Sequence, residues 1–97
     1  LLPADFATRE LILEIHRHKR NYKQLILEGK PLAELFLKHN LLGRAKALLL
    51  QLIGFDEADV ALRRLLIHVL IGLGEIALAL EHLWALAAVL EEIGAGA

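Results

Sequence analysis

Between Leu65 and Leu90 only His68, Glu75, Glu81 and His82 carry or could carry a charge; everything else is Leu, Ile, Val, Ala, Gly or Trp84. A helical stretch with so little polar surface cannot show water a full polar face. It has to be wrapped by the rest of the chain, by other copies of it, or by lipid. Lipid is the weakest of the three. The Gly72–Glu75 turn splits the run, and the first piece falls short of the roughly 20 residues a membrane span requires. The second piece begins at Glu75 and holds Glu81 and His82 in mid-run, where hydrocarbon penalises an ionised acid by about 2.5–3.5 kcal/mol. No membrane partner is expected, and Leu1-Leu2-Pro3 lacks the basic start of a leader peptide. The expectation is a soluble protein, cytoplasmic if expressed in a cell.

Composition narrows the choice further. The 97 residues form one domain over 1–97, with chain enough for one modest core. The 57% apolar content exceeds the usual range for soluble domains. With no Cys there is neither a disulfide nor a thiolate metal site. The lack of Met as well, with the Gly-Ala-Gly-Ala ending, points to a computed or engineered sequence or a piece of a longer one. Charge is divided unevenly. Residues 1–46 carry nine Lys and Arg against five acids, for +4, and residues 47–97 carry two against seven, for −5. Such asymmetry favours one half against the other, or head-to-tail contact between copies. It is too weak a positive field to favour nucleic acid.

The punctuation of the chain is helical throughout. No sustained two-residue alternation and no Asn-Gly or Asp-Gly hairpin turn marks a strand. Pro3 and Asp5 suit a first turn, and that helix is expected to run to about Glu28. Gly29 then serves as a left-handed stop, and Pro31 starts the next helix. From there the apolar row steps Leu32, Leu35, Phe36, His39, then Leu42, Ala45, Leu49, Leu52, faster round the cylinder than about 3.6 residues per turn allows. A break near Asn40, which tolerates a left-handed cap, resolves the slip. Gly54 closes the following helix, Asp56 caps the next with Asp59 three residues on, Gly72–Glu75 is a tight turn, and Gly94 ends the last helix. The fold class is all-α: an antiparallel helical bundle or short helical-hairpin array of four to five helices, five being favoured.

The two short hairpins align at a shift of 34, with Leu32 on Leu66, Phe36 on Leu70, Asn40 on Gly74, Ala45 on Ala79, Leu49 on Leu83 and Leu52 on Leu86. This spacing resembles the tetratricopeptide repeat. A large apolar residue precedes the turn by four positions, and a small Ala follows it by five. The resemblance covers roughly residues 30–90 and lacks the family's usual aromatic near the start of each repeat. It implies a peptide-binding or scaffolding surface, and no peptide-clamping residue carries over.

Candidate chemistry is sparse. If the first helix continues to Glu28, then Glu10, Glu14, His18 and Tyr22 stack at four-residue steps on one face. An acid one turn before a histidine and a phenol one turn beyond is a geometry suited to acid–base work or a ligand contact, with Glu14, His18 and Tyr22 as its members. A solvated helix middle with local hydrogen bonds accounts for the same residues more simply, and no nucleophile accompanies them. Five histidines raise metal or haem. No pair stands three or four apart, so any such site would be assembled across helices from His18, His68 or His82. Trp84, beside Ala88 on the more polar side of the last helix, reads as an interface anchor. Leu66 and Leu70 are expected to share that contact. The function this supports is structural: folding and self-association into a homo-oligomer, with no diagnostic catalytic motif.

Overall fold

The computed structural model describes residues 4–95, which form five α-helices: α1 Ala4–His18, α2 Tyr22–Lys38, α3 Leu42–Phe55, α4 Val60–Leu73 and α5 Ile76–Ala95. No strand occurs among the described residues. The helices form a flat bundle of 43 × 32 × 18 Å. Helix α1 packs on α2, α2 on α3 and α4, α3 on α4, and α4 on α5. The bundle is therefore an array in which α5 packs on α4 alone, and α1 packs on α2 and reaches α3 only through long polar side chains. No helix among the described residues is long and apolar enough to cross a membrane.

Three of the four joints are the same turn. Arg20, Asn40 and Gly74 adopt φ of 56, 58 and 78°. In each, the next residue's N–H donates back to a carbonyl five residues earlier: Asn21 to His16, Leu41 to Phe36 and Glu75 to Leu70, at 2.7–2.9 Å. The left-handed residue itself donates to Arg17, Leu37 or Ile71, completing a Schellman stop. The carbonyls of Asn21, Leu41 and Glu75 then accept from Leu25, Ala45 and Ala79, so each stop opens directly into the next helix. Because the turn also joins α1 to α2 at a shift of 20, it is a property of the stop rather than of the 34-residue spacing.

The break at Asn40 and the turn at Gly74 lie where the sequence places them, whereas the punctuation before Asn40 and the cap of α4 do not. The expected helix to Glu28 stops at His18, because the His16–Asn21 stretch supplies no aliphatic residue to hold a continuing helix on a core. Gly29 is no stop but lies inside α2, buried. A Cβ there would stand 2.6 Å from Cδ1 of Leu52, so glycine lets α3 close on α2. Pro31 also sits inside α2, exposed, at the cost of one intrahelical bond to the Leu27 carbonyl. Asp59, and not Asp56, caps α4, accepting from Leu62 N–H at 3.1 Å. Gly94 falls in the last turn of α5.

The core is aliphatic and belongs to the middle of the array. Leu25, Leu32, Leu49, Leu52, Leu62, Leu66, Val69 and Leu70 are all fully buried. Phe6 meets Phe36 edge-on at 5.2 Å and lays α1 onto α2. Polar clamps close the rim. Lys30 pairs with Asp59 at 2.6 Å. Burial would raise the Asp59 pKa, but the Lys30 ammonium and the Leu62 and Ala61 N–H groups outweigh it, and the carboxyl lies below its ordinary value. Lys46 holds both oxygens of Glu75, at 2.7 and 2.9 Å, and fastens α3 to the last joint.

Candidate functional site

The stacked face expected on a long first helix does not form, because the Arg20 stop reverses the chain between His18 and Tyr22. Glu14 and His18 remain one turn apart with 3.4 Å between Oε1 and Nε2, and the His18 side chain is 78% exposed. Glu14 is shared with Arg17 at 2.7 Å. Glu10 faces Arg44 of α3 at 3.5 Å. Tyr22 stands at the head of α2 and stacks on Phe55 of α3, centroids 4.4 Å apart and planes 14° from parallel. The phenol thus closes an apolar edge and does not join Glu14 and His18. What α1 and α3 do enclose is an open cleft of about 360 Å³, floored by Leu13, Leu32, Phe36 and Leu48. Arg17 crosses its rim to Gln51 at 2.5 Å. The cleft's charges are already matched to one another.

The histidines are dispersed. His16 contacts Glu28, and His39 meets the Phe6 ring edge-on at 5.5 Å. His68 is exposed on α4. His82, part-buried on α5, lies with Nδ1 3.1 Å from an Arg63 nitrogen. A guanidinium can only donate, so this Nδ1 is the acceptor and the ring is neutral there. Burial and the neighbouring Arg63 charge together hold the His82 pKa below its ordinary value, against a smaller opposing pull from Glu81. Helix α1 touches neither α4 nor α5, so His18 shares no site with His68 or His82. No three His, Asp or Glu side chains among the described residues converge to hold a metal ion.

The apolar surface divides sharply between α4 and α5. Leu66 and Leu70 are fully buried against the chain's own helices and offer no surface to a second copy, a correction to the contact expected of them. The reason is their place in the array: α2 and α3 cover one side of α4, and α5 covers another. Helix α5 has only α4 beneath it. Its inward row, Ala79 and Leu86, is buried. The row beside it is not: Ile76 is 58% exposed, Leu80 50%, Leu83 43% and Leu90 41%. Steps of four, three and seven keep these four on one stripe of the helix. No protein family, curated protein or solved structure matches this chain. Trp84, 69% exposed, flanks the stripe, and Ala88 is exposed one turn on. At the other end of the array α1 bares Leu11, Ile12 and Ile15. Glycine and alanine neighbours gave the sequence no way to tell the covered row of α5 from the bare one, since both are apolar.

Proposed function

We propose that the chain is a structural module that associates with itself through the exposed apolar stripe of α5. One observation carries this reading: Ile76, Leu80, Leu83 and Leu90 form a continuous, roughly half-exposed stripe with Trp84 at its edge. A monomer this small rarely leaves such a stripe to water. Full burial of one large apolar side chain contributes about 1.5–3 kcal/mol. Covering the remaining half of five such residues on each of two copies offers on the order of 10 kcal/mol. Set against the roughly 4–15 kcal/mol lost on association, this leaves a surplus of at most about 6 kcal/mol, so self-association is expected from tens of micromolar upward.

Sedimentation velocity across micromolar concentrations tests this directly. The expected result is a concentration-dependent shift to larger species, abolished in the Leu80→Gln, Leu83→Gln double variant without loss of helicity. A wild-type chain that stays monomeric and soluble throughout overturns the proposal.

A further inference from the structure

We infer that this association, if it proceeds through α5 as proposed above, is head-to-tail, with the α5 stripe of one copy seated on the outer face of α1 of the next. The first support is register. At the shift of 34, α5 follows α3, and Ile76, Leu80 and Leu83 correspond to Leu42, Lys46 and Leu49. On α3 the first two of those positions hold what comes after it, and the third lies in the core. Leu49 is fully buried, Leu42 reaches α4 with a methyl 2.9 Å from where a Cβ on Gly72 would stand, and Lys46 holds Glu75. The bare stripe of α5 is thus the seat of a following helix, and among the described residues no helix follows α5.

The second support is at the opposite end of the array. Leu11 is 66% exposed and Ile15 53%, and Ile12 and Leu27 border a shallow depression between α1 and α2. Leu11, Ile12 and Ile15 lie on the side of α1 turned from Phe6 and Leu13, its buried residues. Since α1 and α5 do not touch, only another molecule can bring the two faces together.

Charge then selects between the two ways of pairing copies. Helix α5 carries Glu81, Glu91 and Glu92 and no Lys or Arg, so pairing α5 with α5 gathers acids with only Arg63 of α4 beside them. The α1–α2 joint exposes Lys19, Arg20 and Lys23 at the end of α1, cations that a head-to-tail contact offers to those acids, while the Glu10 and Glu14 carboxylates of α1 are already taken up by Arg44 and Arg17. The contact is heterologous: each copy uses one face and leaves the other open, which builds a chain or a closed ring rather than a two-fold dimer.

Two double variants decide it, one blocking the tail (Leu80→Gln, Leu83→Gln) and one blocking the head (Leu11→Gln, Ile15→Gln). All four positions are exposed, and circular dichroism checks that helicity is retained. Should either pair lower it, the corresponding alanine pair, which favours helix, carries the same reading. Each variant alone is expected to weaken assembly about a hundredfold or more, while an equimolar mixture forms a one-to-one heterodimer and nothing larger. A head variant that assembles like the wild type, or a mixture that gives no heterodimer, overturns the head-to-tail arrangement and leaves association through α5 standing. A wild-type chain that does not assemble overturns both.

Discussion

Helices α4 and α5 are built from nearly the same residues and end in opposite surroundings. Leu62, Leu66, Val69 and Leu70 of α4 are completely enclosed, while Ile76, Leu80, Leu83 and Trp84 of α5 keep 43–69% of their surface. Composition does not separate them. Position does, because α4 has neighbours before and after it in the array and α5 has a neighbour only on one side. Apolar content fixes how much surface seeks cover. The order of helices decides which of it finds cover inside one molecule.

The largest effect should come from truncating equivalent leucines in the two helices. Leu66→Ala opens a cavity in a fully packed site and is expected to lower the unfolding free energy by about 2–5 kcal/mol. Leu83→Ala, measured in dilute solution where copies are apart, should cost less than about 1 kcal/mol. Urea denaturation of both variants gives the contrast, and equal losses would mean that α5 is covered in the isolated molecule. A smaller effect tests how tightly the enclosed region fits. Gly29→Ala pushes a methyl into Leu52 and should cost about 1–3 kcal/mol despite the better helix propensity. Gly43→Ala, with open space around it, should gain about 0.5–1 kcal/mol. A gain at both positions would show that α2 and α3 are free to part.

The smallest effect concerns the seam between α4 and α5. The His82 pKa is lowered in the folded chain from an ordinary value near 6.5. The unfolded chain therefore takes up the proton first as pH falls. The stabilisation is complete above that value and is lost progressively on acidification. Unfolding midpoints measured from about pH 7.5 down to about 5.5 should decline, and His82→Gln should flatten that segment of the profile. An unchanged slope in the variant would remove His82 from the account.

Much of the fold can be read along the chain, and the failures are instructive. The break at Asn40 follows from the slipping apolar row, and Gly74 from its freedom to take positive φ. The joint at Arg20 is hidden because arginine is a poor residue for that conformation, and a polar run reads equally well as a solvated helix middle. Around it, His16 and Leu25 stand where Asn40 has Phe36 and Ala45, so the large apolar and small residues that flank the other stops are missing. Gly29 misleads for the opposite reason, since its missing side chain serves a contact with Leu52 that lies 23 residues away in the chain. The candidate site fares likewise. The Glu14–His18 step is local and survives, whereas Tyr22 depended on a helix that does not continue. Leu66 and Leu70 could not be told from Leu80 and Leu83 without knowing which helix ends the array.

The three identical joints are not equally comfortable. Glycine holds the last one without steric penalty and asparagine tolerates the middle one, but Arg20 keeps a side chain in a region that disfavours it by about 1–2 kcal/mol. Because α1 hinges on Arg20, its Phe6–Phe36 contact with α2 and its Glu10 and Arg17 ties to α3 have to hold that strain in place.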